Sequence, residues 1–254
     1  MTDAELLALA ARLAQSAAAA ILSVRDAGFA VERKDDMSPV TAADRLAEAI
    51  IAEGLRAAAP GIPVVAEEEC SVSEVTTDAE RYWLVDPLDG TREFAAGRAE
   101  FTVNIGLVDR GRPVLGAVAI PAYGELFTGI IGVGAWKRNA DGTERPIAAR
   151  RVPAEGLTVM ASRHYGDDPR LTEFLGEQKV AEIVKIGSAV KFCRLAEGVG
   201  DVYPRFGRTM EWDTAAPEAV LLAAGGRCTT FDGAPLGYGK PLWENPPFLC
   251  RGAA

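Results

Sequence analysis

The chain has 254 residues, 48% of them apolar, and its 36 acidic against 27 basic side chains leave a net charge of −9. That length and apolar share suffice for one large domain or two closely packed ones and argue against disorder. The acidic balance argues against a nucleic-acid partner, which calls for a basic face, and a phosphate-handling protein of this charge needs metal ions and a local basic cluster to offset repulsion.

Thr2-Asp3-Ala4-Glu5 is a capping-box pattern. It opens a helix with helical apolar spacing to about Asp26, and Gly28 ends it. The stretch is Ala-rich but carries Asp3, Glu5 and Arg12, unlike a signal peptide, and no apolar run is expected to span a bilayer. After a polar, turn-rich segment at 32–39, Thr41-Ala42-Ala43-Asp44 starts a second helix that ends before Pro60. Thr-x-x-Asp is itself an N-cap signature, and a capped start would also hold Asp44 rigidly. Residues 62–66 form a brief strand that delivers Glu67-Glu68-Glu69. Three glutamates on a surface loop are ordinarily solvated charge, but Glu67, directly after a buried strand, is less ordinary.

Residues 82–85 read as a short apolar strand. Asp86 is expected at its end, because Pro87 cannot continue a ladder. Asp86 and Asp89 then share a tight turn and can aim at one point, Gly90 frees the backbone, and Thr91 begins a helical segment whose outward N–H groups favour an anion. One turn thus offers two hard oxygen ligands for a divalent cation and a cradle for a phosphate, a combination that suits magnesium.

From 101 to about 136 the pattern changes to alternation and long apolar runs broken by hairpin-type turns at 109–113, 121–124 and 139–142, an antiparallel sheet packed with helices. Beyond it come a strand at 157–161 ending in Ser162-Arg163-His164, a helix at 169–178, a strand at 181–186 and a helix opened by Gly187-Ser188-Ala189-Val190-Lys191. A strand at 201–203 leads to Pro204-Arg205-Phe206-Gly207-Arg208, and Glu211-Trp212-Asp213 precedes a helix closed by Gly225-Gly226. Strands at 228–230 and 248–250 end the chain. A weakly marked boundary near 149–157 divides an N-terminal α+β subdomain (1–150), which carries the Asp-rich turn, from a C-terminal α/β subdomain (151–254), which completes the site. Cys70, Cys193, Cys228 and Cys250 are scattered, with no CxxC pair. Neither zinc nor a disulfide framework is indicated, and free thiols in a reducing cytoplasm are expected.

Several residues carry chemistry beyond the Asp-rich turn. Asp213 at a helix start is explained by N-capping alone, yet Trp212, Ala215 and Ala216 mark a tightly packed spot. Pro217 is tolerable only in a first turn, so regular helix is expected from about Ala216. Lys191 in a helix's first turn opposes the helix dipole, which makes sense if that helix start faces an anion and is otherwise a solvated lysine. Arg205 and Arg208 flank a Pro/Gly turn and could contact phosphate. His164, the only histidine, ranks low as a catalyst but could stack on a base.

Ala66-Glu67-Glu68, Asp86-Pro87-Leu88-Asp89-Gly90-Thr91 and Trp212-Asp213-Thr214-Ala215-Ala216 resemble the three signatures of the inositol monophosphatase superfamily of lithium-sensitive, magnesium-dependent phosphatases. The segments 34–44, 187–193 and 203–207 resemble one branch of it, the bacterial 3′(2′),5′-bisphosphate nucleotidases of sulfur assimilation. The resemblance covers nearly the whole chain. It implies a layered αβαβα sugar-phosphatase fold of the α+β class and a first magnesium ion held by Glu67, Asp86 and the Leu88 carbonyl. A second ion would be shared by Asp86, Asp89 and Asp213, with a third left open. It also implies a phosphate on Gly90 and Thr91, an attacking water helped by Thr91, Asp44 and Glu68, and nucleotide groups near Ser188, Lys191 and Arg205, with His164 a weaker candidate. Two ions about 4 Å apart can activate a water and stabilise a leaving oxygen. Ala66, where serine or glycine is common, Arg92, where lysine is common, and the ambiguous register of the three glutamates are departures from the pattern, and none removes a ligand.

The expectation is a phosphomonoesterase that converts adenosine 3′,5′-bisphosphate to AMP, with the sulfated precursor nucleotide a further substrate. The alternatives are an inositol or sugar monophosphatase and a nucleotide-binding sensor that has lost catalysis. The expected state is a cytoplasmic monomer or homodimer without an integral membrane segment, and a loose attachment to the inner face of the membrane is left open.

Overall fold

The computed structural model of the chain describes residues 1–33, 39–72, 77–163 and 168–253. The elements run α1 (Asp3–Ala27), β1 (Val31–Arg33), β2 (Pro39–Thr41), α2 (Ala42–Ala58), β3 (Val64–Ala66), α3 (Glu67–Val72), β4 (Arg81–Asp89), α4 (Thr91–Ala95), β5 (Thr102–Asp109) and β6 (Arg112–Ile120). Then come a 3₁₀ turn, β7 (Glu125–Ile130), β8 (Gly134–Arg138), β9 (Glu144–Ile147), β10 (Leu157–Ser162), α5 (Pro169–Leu175), β11 (Val180–Ile186), α6 (Val190–Ala196), β12 (Val202–Arg205), α7 (Glu211–Ala223), β13 (Arg227–Thr230) and β14 (Phe248–Arg251). Strands β3 to β9 lie in chain order in a seven-stranded sheet, parallel between β3 and β4 and antiparallel thereafter. A second sheet runs β11-β10-β12-β14-β13, parallel in its first half and antiparallel in its second.

Alternation along these strands sets the layers. Trp83, Val85, Val103, Ile105 and Leu107 join the apolar faces of α1 and α2 in one core, while Tyr82, Leu84, Val118 and Phe127 turn to the other side and meet α6 and α7. The second sheet covers those helices with Met160, Tyr203, Phe248 and Cys250 and turns Val159, Val202 and Leu249 towards Leu171 and Leu175 of α5. Helices, sheet, helices, sheet and helix therefore stack as αβαβα.

Local chemistry starts the helices as their sequences lead one to expect. Thr2 Oγ1 accepts from the Glu5 N–H at 3.3 Å while the Thr2 N–H donates to the Glu5 carboxylate at 2.7 Å. Gly28, at φ +80°, closes α1. This helix corrects one expectation, since at 25 residues it is long and apolar enough to cross a membrane. Its Ala10, Ala14, Ala17 and Ile21 are fully buried against protein instead, the small alanines allowing α2 a close approach. The three glutamates form the first turn of α3 rather than a loop. Helix α7 starts at Glu211, not near Ala216, with Met210 as N-cap and Pro217 inside it. Among the described residues the four cysteines are free thiols, but Cys228 and Cys250 face each other across the β13–β14 ladder with their sulfurs 3.0 Å apart, a proximity that their spacing in sequence gives no sign of.

Three glycines decide where α7 sits. Gly106, Gly116 and Gly129 are cross-strand neighbours on β5, β6 and β7 and form one row across the sheet. A Cβ at Gly106 would stand 2.6 Å from the Ala216 nitrogen, one at Gly116 would stand 2.2 Å from the Ala216 oxygen, and one at Gly129 would stand 2.9 Å from the Val220 Cα. Backbone rests on backbone, and no side chain can yield to make room. Gly116→Ala is expected to lower stability by about 2–3 kcal/mol, roughly 5–10 °C in Tm. A thermal melt checks this, and an unchanged Tm would show that α7 can ride higher on the sheet.

Candidate active site

The site begins where β4 breaks its own alternation. The ladder continues through Pro87 rather than ending at Asp86, because Asp86 pairs with Asn104 and Asp89 with Thr102, three steps on β4 against two on β5. This is a bulge, and Pro87 lies in the part of it that needs no ladder hydrogen bond. Residues three apart in a regular strand face opposite ways, but the extra residue restores Asp89 to the side of Asp86. Both carboxylates therefore turn towards α7. The Leu88 N–H donates to Asp86 Oδ1 at 3.0 Å and tightens the bulge.

The remaining groups arrive from separate segments. Asp89 Oδ2 accepts the Ala189 N–H at 2.5 Å and the Thr102 hydroxyl at 3.4 Å. Gly90 has φ +96°, and a Cβ there would meet the Glu100 oxygen at 3.0 Å and the Ser188 Cβ at 3.2 Å, so glycine is required both for the dihedral and for space. The Thr91 hydroxyl lies 3.0 Å from Asp44 Oδ1 and 3.1 Å from the Leu88 carbonyl. Asp44 is buried in the first turn of α2, where its Oδ2 accepts both the N–H and the hydroxyl of Thr41 at 2.7 Å. Capping and site placement thus coincide in Asp44. Asp213 is the third residue of α7 rather than its cap, and its Oδ2 accepts the Met210 N–H at 2.9 Å.

Glu67, Asp89, Gly90, Thr91, Ser188, Lys191, Arg205 and Asp213 line one cavity of about 400 Å³. Asp86 and the Leu88 side chain are buried, and Asp44 reaches the cavity through Thr91. Glu68 is absent from the lining. The N–H groups of Glu68 and Glu69 both donate to Glu48 and the Glu69 carboxylate grips Arg56 at 2.7 and 2.8 Å, while Glu67 is the one of the three that lines the cavity. His164 lies outside the described residues, so its placement is not part of this geometry.

The cavity is lined by groups of both charges. Burial, followed by the fields of Glu67, Asp89 and Asp213, holds the Asp86 carboxyl well above the ordinary range. Burial, then Asp89 and Glu67, lift Asp213 to about 7. Burial lifts Asp89 to about 6 against the opposing pull of Lys191 and the Ala189 N–H. Lys191, Arg205 and Arg208 line the same cavity. Lys191 is 2% exposed, not solvated, and its ammonium bonds the Ile186 and Ser188 carbonyls at 3.2 and 2.5 Å. Burial first, then Arg205, depresses its pKa to about 7. Ser188 stands at φ +48°, a left-handed conformation that non-glycine residues adopt at a cost. Arg205 clasps its own turn through the Gly207 and Arg208 carbonyls, and Arg208 pairs with Glu244.

Carboxylates that raise one another's pKa ask for a cation, and an all-oxygen donor set suits magnesium over softer metals. Among the described residues no three acidic, histidine or cysteine side chains are arranged to hold an ion unaided. Asn104, opposite Asp86 and fully buried, leaves both amide atoms without a hydrogen-bond partner among the described residues. Such a group suits a site that receives a further polar occupant. Sequence reasoning missed Asn104, Glu48 and the Ala189 N–H, and only the neighbouring Gly187-Ser188 turn gave any signal of the last.

Comparison with known proteins gives one consistent result. The family model described as "Inositol monophosphatase family" matches residues 2–248. The 3′(2′),5′-bisphosphate nucleotidase CysQ of Salmonella typhimurium is 44% identical over 240 residues, 93% of this chain and 96% of that protein. The protein of the same name from Escherichia coli K12 is 43% identical over the same shares. The crystal structure of CysQ from Bacteroides thetaiotaomicron superposes with a TM-score of 0.83 at 31% identity, covering 98% of each chain. An inositol monophosphatase from Anabaena superposes with a TM-score of 0.75 at 27% identity, covering 98% of this chain and 91% of that one.

Removing one of these repelling carboxylates has a readable signature. Asp86→Asn keeps the oxygen that accepts from the Leu88 N–H and deletes a buried charge. In metal-free buffer at pH 8 the variant is expected to melt a few degrees above the parent, and added magnesium, which raises the parent's Tm, is expected to leave it unchanged. Calorimetry with and without magnesium checks both halves, and an equal magnesium response in the two proteins would remove Asp86 from the ligand set.

Proposed function

This chain belongs to the inositol monophosphatase family, and we propose that within it the chain is a magnesium-dependent phosphomonoesterase that removes the 3′-phosphate of adenosine 3′,5′-bisphosphate to give AMP and phosphate. The sulfated precursor nucleotide is a second substrate on this reading. The observation that carries it is a single cavity lined both by the acids Glu67, Asp89 and Asp213 and by the cations Lys191, Arg205 and Arg208.

Glu67, Asp86 and the Leu88 carbonyl would hold one ion, and Asp86, Asp89 and Asp213 a second. Bound magnesium supplies neutralisation of phosphoryl charge and activation of water. The 3′-phosphoryl group rests on the turn at Gly90 and Thr91. The Thr91 hydroxyl, donating to Asp44, has a lone pair that can take a proton from the attacking water and pass its own to Asp44. The water oxygen bonds phosphorus, the bond from phosphorus to the 3′-oxygen breaks, and the departing oxygen takes a proton from solvent. Ser188, Lys191 and Arg205 receive the second phosphate. The location consistent with this chemistry is cytoplasmic, and the chain works as a monomer or a homodimer.

A panel scored for released phosphate tests the reading. With magnesium, adenosine 3′,5′-bisphosphate should turn over at least about 100-fold better in kcat/KM than inositol 1-phosphate, a difference of roughly 2.7 kcal/mol. Parity would favour the sugar-phosphatase alternative, and no release from either would favour a silent sensor. Lys191 adds a pH test. Its amine is charged below about pH 7, so the attraction it offers the free nucleotide fades as pH rises through that value. Lys191→Met is expected to raise KM about 10-fold at pH 6 and to flatten that limb of the kcat/KM profile.

A further inference from the structure

We propose that Glu48 is a positioning residue for the acidic centre: it fixes the backbone of residues 67–69 so that the Glu67 carboxylate faces the cavity. The inference rests on the reading of the site given above and adds a residue that belongs to none of the motifs on which that reading stands.

Helix α3 begins at Glu67 directly after Ala66, whose methyl group cannot accept a hydrogen bond, and the first amides of any helix lack internal partners. Glu48, on α2, supplies what is missing. Its Oε2 accepts the Glu68 N–H at 2.7 Å and its Oε1 accepts the Glu69 N–H at 2.9 Å. The side chain comes from 20 residues upstream and is 6% exposed, so the bonds are sheltered from competing water. Charge-assisted bonds of this kind are about twice as strong as neutral ones. A hydroxyl or an amide offers one acceptor atom, whereas a carboxylate offers two, which matches two successive N–H groups and fixes orientation as well as distance.

The position of Glu48 on its helix extends the argument. Asp44 and Glu48 are four apart, hence neighbours on one face of α2. Asp44 bonds Thr91 on one segment, and Glu48 bonds the start of α3 on another. One rigid helix face therefore spans the two segments that bring Thr91 and Glu67 to the same cavity. Placing a further carboxylate beside an already acidic run raises electrostatic cost, and a plain stabilising role would be met by an uncharged cap without it. The geometry explains the choice, because with the amides of 68 and 69 both held by Glu48, Glu67 is the one turned to the cavity.

The test measures manganese binding to the metal-free protein by electron paramagnetic resonance, alongside thermal melts and the magnesium concentration that gives half-maximal phosphate release. Glu48→Ala is expected to weaken manganese binding and raise half-saturating magnesium about 10-fold or more, with kcat at saturating magnesium near that of the parent. Glu48→Gln, which keeps one acceptor, should fall between and decides the matter if the alanine variant does not fold. Arg56→Ala, which releases the Glu69 side chain but leaves the Glu48 bonds, should stay within about twofold of the parent. Glu48 variants that melt lower yet bind manganese like the parent would overturn the proposal, and so would an Arg56→Ala loss equal to that of Glu48→Ala. Failure of the parent itself to bind manganese would overturn the reading of the site, and the positioning role with it.

Discussion

Asp86, Asp89 and Asp213 crowd a space where burial alone already disfavours their charge. All three are pushed upward with desolvation the largest cause, ahead of repulsion by neighbouring carboxylates at Asp86 and Asp213 and against the pull of Lys191 and the Ala189 N–H at Asp89. Every unit of such a shift is about 1.4 kcal/mol against the ionised form. No isolated fold gains from that arrangement, so the surrounding structure must overrule it. It does so with a β-bulge that cannot relax because Pro87 and the Leu88 N–H lock it, with a glycine whose dihedral and clearance admit no substitute, and with donors at Ala189, Met210 and Leu88 that each hold one oxygen in place.

The chain distributes these acids so that no single segment carries the strain. Asp86 and Asp89 come from a strand of the seven-stranded sheet, Glu67 from the helix that follows its edge strand, and Asp213 from a helix lying flat on its opposite face. The glycine row across β5, β6 and β7 is what lets that last helix lie so low, and Ala215 and Ala216 are its counterparts. Packing therefore does electrostatic work, since the depth at which α7 seats sets the reach of Asp213 towards the β4 corner. The same logic explains why Thr214, Glu218 and Asn245 are buried polar groups behind α7. Asn245 donates to the Met210 carbonyl at 2.7 Å and to the Thr214 hydroxyl at 3.0 Å, pinning the first turn from the rear.

How much of this was legible in the sequence depends on how local the cause is. The capping boxes at Thr2 and Thr41, the Gly28 stop and the hairpin alternation after 101 are local, and they appear in the structure within a few residues of their expected places. The five-layer order, which the family resemblance implied, is also found. The errors lie where a partner distant in sequence decides. Pro87 looks like the end of a strand until β5 is seen to pair on both sides of it. Asp213 looks like a cap until the Thr209–Asn245 and Glu211–Trp243 backbone bonds start α7 two residues earlier. For Lys191 the sequence left a solvated side chain open beside an anion-facing one, and the structure removes the first, burying the ammonium 5.1 Å over the Tyr203 ring. Glu48 and Asn104 give no signal at all, because a lone glutamate on a helix and a lone asparagine in an apolar strand each have an ordinary explanation until their neighbours are known.

On the reading proposed above, the cations of the cavity bear on substrate choice more directly than its acids. Any phosphomonoester could use the Asp-rich corner, so that corner cannot separate a nucleotide bisphosphate from a sugar phosphate. Lys191 can. Its depressed pKa measures the cost of keeping an ammonium in a buried place beside Arg205. A substrate whose far end is a neutral hydroxylated ring offers nothing to offset that cost. A second phosphate does, since an anion near a buried amine favours its charged form and strengthens in the same low-polarity surroundings that penalise the amine alone. The strained φ of Ser188 points the same way, because it turns the carbonyl that Lys191 bonds and the N–H that Asp89 accepts into neighbouring positions of one short turn. The Lys191 ammonium and the Asp89 carboxylate thus bond the two ends of one peptide unit, the one between Ser188 and Ala189.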